Sequence, residues 1–212
     1  MDYESFLQMI RSRRSVRSHK PDPVSDGVIN QIIEAGKWAP SGNNTQPFEI
    51  VVVKDKALIE QMEDFVGQAY EPRMTQRFGA PAMLLVLGDP RFCDAYPKGF
   101  IREEILHSSL AAAIGNMLLA SAVVGLGGSA WKTVPPSAAM RIKDLLGIPL
   151  FFVLKVLIPL GYPKGDVEPP PKRDIVVHEN HYDLGKLKSE EEVREIIKKY
   201  SGVKDLNKLR AL

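Results

Sequence analysis

Cysteine is almost absent: Cys93 is the single one in 212 residues. That excludes a disulfide framework and any cysteine-based zinc or iron–sulfur centre within one chain. A dominant charge is missing too. Lys and Arg number 28 against 26 Asp and Glu, a net +2, so no global field argues for nucleic acid or a membrane surface. No Gly-x-Gly-x-x-Gly turn announces a dinucleotide fold. No nucleophile–base–acid set suggests a triad, and no catalytic residue in the strict sense is named. The first residues, MDYESFLQMIRSRR, carry acids early and no apolar core segment, unlike a signal peptide, so the cytoplasm is the expected compartment. There is no internal repeat, low-complexity stretch or interdomain linker. Residues 1–212 are therefore expected to form one domain with a sizeable core.

What is present is organised around Arg102 to Trp131. From Leu110 to Val124 the side chains are apolar or small on every helical face, which predicts a helix buried on most sides. A membrane span needs about 20 apolar residues; this run is shorter and contains Asn116 and Ser121, with Ser109 just before it. Around it, helices are expected over residues 3–11, from Ser25 to before Pro40, 57–69, from Ser137 to Gly147, and 189–200. Ser25 and Ser137 read as N-caps, and Ser189 with Glu192 as a capping box. Apolar runs at 48–53, 82–87 and 153–160 predict strands, with a short one at Ile175 to Val177. Lys155 interrupts the third run, so one end of that strand should reach an edge or a cleft. The aromatics Phe92, Tyr96 and Phe100 suit either a cap over a pocket or a packed surface loop.

Four polar segments carry candidate chemistry. Arg11 to Lys20 suits a solvated basic turn, a nucleic-acid patch or a phosphate site, since arginine forks match phosphate oxygens. Trp38-Ala-Pro-Ser-Gly-Asn-Asn-Thr-Gln-Pro-Phe48 is crowded with turn formers. It suits either a helix-to-strand connection or a polar cradle for a planar ligand. Pro169-Pro170-Pro171 is a stiff extended rod presenting Lys172 and Arg173. His178, His181 and Asp183 have the look of a metal set, but lack the helical context of a zinc motif and read better as a polar turn.

These segments line up with one family. Arg13-Arg14-Ser15-Val16-Arg17 resembles the Arg-x-Ser-x-Lys/Arg opening of the FMN-dependent nitroreductases. The 38–48 segment resembles their Pro-Ser-x-x-Asn-x-Gln-Pro-Trp/Phe signature. Asn116-Met-Leu-Leu-Ala120 leading to Gly125-Leu-Gly127 is similar to their central helix and glycine turn. Ile158-Pro-Leu-Gly-Tyr-Pro163, with the later Pro-Lys-Arg173, is similar to their closing segment. The resemblance covers about Ser5 to Asp183, leaving 184–212 as a C-terminal helical extension.

The resemblance implies an α+β fold, with a mixed, mainly antiparallel sheet flanked by helices, in an intertwined homodimer. It implies noncovalent FMN, not FAD. Arg13 and Ser15, with Arg14 between them, then serve the phosphate side, and Arg17 lies near the pyrimidine edge of the ring. Pro40, Ser41 and Asn44 come from the other subunit, with Gly42, Asn43 and Gln46 in the same loop. Backbone at Gly127, Gly128 and Ser129 faces the flavin, and Lys172 and Arg173 return to the phosphate. Trp131 stands one residue later than the family pattern, so the donor to flavin N5 is left open.

The implied activity is ping-pong reduction of a nitro-aromatic, quinone or similar small-molecule acceptor with electrons from NADH or NADPH. A specialised chemistry such as reductive dehalogenation or flavin breakdown is the first alternative. A basic nucleic-acid-binding module at Arg11 to Lys20 is the second, disfavoured by the near-neutral charge.

Overall fold

The computed structural model describes residues 1–69, 77–96, 102–127 and 132–201. They fall into two compact units, residues 1–167 and 168–212. Among the described residues the first unit has four strands, β1 (Phe48–Val53), β2 (Ala82–Gly88), β3 (Lys132–Thr133) and β4 (Val153–Leu160). Their order is β1-β2-β4-β3, and each neighbouring pair is antiparallel. Five helices belong to this unit: α1 (Tyr3–Ser12), α2 (Asp26–Lys37), α3 (Lys56–Ala69), α4 (Arg102–Val123) and α5 (Pro136–Leu146).

Successive strand side chains point to opposite faces, so a central strand covered on both faces must be apolar throughout. β2 is buried at all seven positions. Its Ala82, Leu84 and Val86 join α2 and α4 in one core, with Ile29, Ile32, Leu110, Ile114 and Met117. Its Met83, Leu85 and Leu87 join α3 and α5 in the other, with Ile59, Met62, Val66, Ala138 and Ile142. Fully burying one such side chain stabilises by roughly 1.5–3 kcal/mol. The break at Lys155 has a local cause. Two steps on β2, Leu85 to Leu87, face three on β4, Leu157 to Leu154, so an extra residue bulges there. Lys155 is exposed and lines a cavity of about 360 Å³ with Cys93, Arg102 and Leu106, the cleft its position implied.

Caps fix most helix starts. Ser25 Oγ accepts from Val28 N, and Asp55 Oδ1 accepts from Leu58 N at 3.0 Å. α5 differs from expectation. Pro135 is its N-cap residue and Pro136 its first helical residue, so Ser137 lies inside the first turn and does not cap it. Proline there is preset for the helix and lacks the N–H that would need a partner. Gly147, at φ 66°, ends it as expected.

α4 departs from expectation twice. It begins at Arg102, two turns ahead of the apolar run, and its 22 residues make it long and apolar enough, by length and composition alone, to cross a membrane. The run being short is therefore no argument against a span. It is also not buried on most sides. Leu106, Ser109, Leu110, Ala113, Ile114, Met117 and Ser121 are buried, whereas Ala111 and Val123 are exposed and Leu118, Leu119 and Ala122 are half-buried. One chain supplies one layer to pack on, and the remaining apolar surface is left open. α1 resembles it: Tyr3, Phe6 and Ile10 are exposed.

The second unit opens with an extended run. Ile175 to Val177 pairs with no strand among the described residues, against expectation, and Ile175 and Val177 are 70% and 74% exposed. His178 Nδ1 accepts from Asp183 N at 2.9 Å and its ring stacks on Tyr182. Among the described residues no group of His, Cys, Asp and Glu side chains is arranged to hold a metal. α6 (Glu190–Tyr200) starts at the capping box of Ser189 and Glu192, as expected.

Candidate functional site

The basic segment is held as an extended strap. Arg13 leaves the helical conformation at the end of α1 (φ −59°, ψ 131°). Arg14 N then donates to Gly127 O at 2.7 Å, Lys20 N to Tyr162 O at 2.8 Å, and Lys164 N to Ser18 O at 3.1 Å. Val16 is the buried peg of the strap, at 1% exposure. These bonds bring two of the sequence-predicted groups together, the Arg13–Arg17 run and Gly127. Gly127 has φ 71°, and a Cβ there would stand 2.7 Å from Val16 Cγ2. The position thus requires glycine twice over, for conformation and for space. A groove of about 320 Å³ follows this seam, lined by Ser12, Arg14, Val16, Gly127, Pro163 and Gly165.

The three arginines are not equivalent. Arg14 is occupied by backbone: its Nε donates to Val167 O and its Nη1 to the carbonyls of Arg11 and Arg13. It locks the turn. Arg13 is half-buried and its Nη1 donates to Ser15 Oγ at 3.4 Å. Burial first, then the charges of Arg14 and Arg17, holds its guanidinium below the usual arginine range. Arg17 is exposed and reaches Ser15 O at 3.3 Å. Cationic forks crowded in five residues are what an anion with several oxygens relieves, and charge-assisted bonds are the strong ones.

The second group lies in the loop between α2 and β1. A 3₁₀ turn covers Gly42–Asn44. Asn43, Asn44 and Gln46 all have positive φ, at 47°, 53° and 46°. Such a conformation costs of order 1–3 kcal/mol at a non-glycine residue and persists where surroundings impose it. Gln46 N donates to Ser41 Oγ at 3.0 Å, and Thr45 Oγ1 to Gly42 O at 2.9 Å. Asp89 N anchors the far end on Pro47 O at 3.0 Å. The Asp89 carboxylate is itself fixed by Arg91, whose hydrogen bonds hold it below the usual carboxylate range. Gly42 packs where a Cβ would clash with the Tyr96 hydroxyl and with Ile105. Pro40, Asn43, Asn44 and Gln46 remain exposed.

The two groups stand at opposite ends of α4. The loop meets it at Ile105 and Ser109, and the strap meets the turn that follows Val123. At 1.5 Å per residue the separation along the helix is roughly 20 Å. The strap and the loop are therefore two separate places on one chain, each of which could supply half of a site. Of the other predicted residues, Lys172 and Arg173 lie in the second unit, exposed and outside any helix or strand. Gly128, Ser129 and Trp131 lie outside the described residues. Sequence reasoning missed the props of the loop, Tyr96, Ile105 and Ser109. A serine beside an otherwise apolar helical run was the available signal for the last.

A sequence model of the nitroreductase family matches residues 10–162, the span that holds both half-sites. The chain belongs to the nitroreductase family. A putative NADH dehydrogenase/NAD(P)H nitroreductase of Archaeoglobus fulgidus is 34% identical over 166 residues, covering 77% of this chain and 88% of that one. An iodotyrosine deiodinase of Daphnia pulex is 27% identical over 201 residues; the match takes in 82% of this chain and about two thirds (66%) of that protein. Among solved structures, a putative nitroreductase of Desulfovibrio desulfuricans in complex with FMN superposes with a TM-score of 0.66 at 28% identity, covering 83% of this chain and 97% of that one. The nitroreductase fold anticipated from the four motifs, helices on an antiparallel sheet, is the fold observed. The chain is thus a member of an oxidoreductase family.

Proposed function

We propose that this protein is an FMN-dependent oxidoreductase that uses NADH or NADPH to reduce a nitro-aromatic, quinone or similar acceptor. The observation that carries the reading is the strap: Arg13, Ser15 and Arg17 gathered beside Gly127, with the Arg13 guanidinium pushed down by burial and like charge. That donor set fits a phosphate on a planar cofactor. FMN, when bound, would accept electrons from the nicotinamide donor and pass them to the acceptor in a second half-reaction. The chain's own residues bind and orient. Arg13 and Ser15 hold the phosphate, and Arg14 keeps the turn in shape. Arg17 places positive charge at the pyrimidine edge, where it favours an electron-rich ring. Gly127, with Gly128 and Ser129 after it, gives bare backbone against the ring.

The working unit in this reading is a homodimer, with Pro40, Ser41, Gly42, Asn43, Asn44 and Gln46 serving the flavin held by the other chain's strap. Two half-sites roughly 20 Å apart along α4 support it. So do the open apolar surfaces of α1 and α4 and the exposed Ile175 and Val177. The test is the visible spectrum of the purified protein, before and after NADH or NADPH under nitrogen, with chromatography of the heat-released cofactor. FMN that bleaches on addition of the donor is expected. A colourless protein that apo-reconstitution cannot load, or recovery of FAD, overturns the proposal.

The deiodinase relative favours one second reading, reductive dehalogenation at the same flavin. Parallel turnover of a nitrofuran and a halotyrosine separates the two. In either reading the acceptor is selected by the segment from Glu71 to Phe100, which lies in part outside the described residues.

A further inference from the structure

A buried hydroxyl ties the central helix to the polar loop. Ser109 is 3% exposed in the N-terminal half of α4. Its Oγ donates to Ile105 O at 2.7 Å and accepts the Gly42 N–H at 3.3 Å. We infer that Ser109 is a positioning residue for the flavin site, holding the Gly42 end of the loop in the shape that presents Ser41 and Asn44 to the cofactor; this rests on the FMN-dependent reading above.

The argument is one of constraint. Bonds between Gln46 and Ser41, and between Thr45 and Gly42, lie within the loop and move with it. The contact of Asp89 with Pro47 holds the far end. The Gly42–Ser109 bond reaches from the near end to a core helix, beside a glycine whose missing side chain lets the loop lie on Tyr96 and Ile105. A loop with three non-glycine residues at positive φ needs fixed ends to stay so. A buried serine inside a helix commonly bonds back to the carbonyl one turn before it; Ser109 does so and, in addition, accepts a bond from outside the helix. Ser121, in the same stripe, donates to Met117 O one turn back, at 2.8 Å, and supplies the matched control.

The experiment compares Ser109→Ala, Ser109→Thr and Ser121→Ala with the wild type. In apoprotein, protection of the Gly42 amide from hydrogen exchange should fall in Ser109→Ala alone. In apoprotein titrated with FMN, Ser109→Ala should bind about three- to tenfold more weakly, the effect of one neutral hydrogen bond. The visible circular dichroism of the bound flavin should change with it. Ser109→Thr keeps the acceptor and should restore all three readouts. If threonine does not fold there, Ser109→Cys, which keeps volume and loses the strong acceptor, should track alanine. Unchanged Gly42 protection and FMN affinity in Ser109→Ala, or equal effects in Ser121→Ala, overturn the inference. A wild type that takes no FMN defeats the functional reading instead, and the exchange of Gly42 still decides the role of Ser109.

Discussion

The two ends of α4 build their half-sites by opposite means. At the C-terminal end a basic strap is laid straight, pegged by Val16 and hydrogen-bonded through its backbone to Gly127 and Tyr162. In the proposed function its contribution lies in residue type: three guanidinium groups gathered in five residues, with that of Arg13 held below the usual arginine range by burial and like charge. At the N-terminal end a neutral loop is bent against its preference, with three positive φ values kept by side-chain bonds to its neighbours. Its function lies in shape. A binding site assembled from one end of each kind obtains affinity from the first and orientation from the second. Substitutions at the two ends should then fail in different observables.

The largest effect is expected at the seam of the strap. Gly127→Val puts a β-branched side chain at φ 71° and a Cβ on Val16. Strain and overpacking together should cost about 3 kcal/mol or more, read as a fall in the urea midpoint together with loss of FMN binding. A stable variant that still binds FMN would show that the strap does not depend on that turn.

Within the strap, Arg13→Ala and Arg14→Ala should divide. Loss of a charge-assisted phosphate contact weakens FMN about tenfold or more, while riboflavin, which has no phosphate, should bind Arg13→Ala and wild type alike. Arg14→Ala should mainly lower stability, since its donors hold the carbonyls of Arg11, Arg13 and Val167. Equal losses for FMN and riboflavin in Arg13→Ala would remove Arg13 from the phosphate.

At the loop, a smaller and different failure is expected. Gly42→Ala presses on the Tyr96 hydroxyl and on Ile105, the first a side-chain tip that can yield. A stability cost of about 1–2 kcal/mol should accompany an altered circular dichroism of the bound flavin. FMN and riboflavin should be affected equally, because the proposed function assigns the loop to the ring and not to the phosphate. A loss confined to FMN would place the loop at the phosphate and erase the division between the ends.

This division also explains what could be read in the sequence. Of the strap, only a concentration of charge was legible, open to a solvated turn, a nucleic-acid patch or a phosphate site; the backbone bonds that lay it against Gly127 and Tyr162 join residues far apart in sequence. The strand at β2 and the caps at Ser25 and Ser189 were legible because an unbroken apolar run and local hydrogen bonding determine them. The loop's composition marked a turn, but which residues would take positive φ did not show: asparagine enters that region readily, and Gln46 does so less often. Ser109 was visible as an oddity without its partner, which lies 67 residues away. The open flank of α4 was misread because an all-apolar helix does not say which chain will cover it.

The smallest expected effect separates the ends by pH. Between Pro40 and Pro47 no side chain titrates in the ordinary range, whereas the strap ends in His19. His19 is 5% exposed; its Nδ1 lies 3.0 Å from Phe78 O, and its buried Nε2 has no hydrogen-bond partner among the described residues. Nδ1 therefore carries the proton of the neutral ring. A second proton would place charge in a buried site, and burial, only partly offset by the Phe78 carbonyl, holds the imidazole below its usual value. The unfolded chain then binds a proton at higher pH than the folded one. Stability from the neutral ring is fully present above the unfolded value, about 6.5, and is lost as pH falls toward the lower folded value. Urea midpoints followed from pH 8 to pH 5 should decline more steeply for the wild type than for His19→Asn, whose amide can still donate to Phe78 O. The same variant on a Gly42→Ala background should remove the same slope, because the loop contributes none. Parallel curves for wild type and His19→Asn would show that His19 titrates alike in both states, and the strap would then be no more sensitive to pH than the loop.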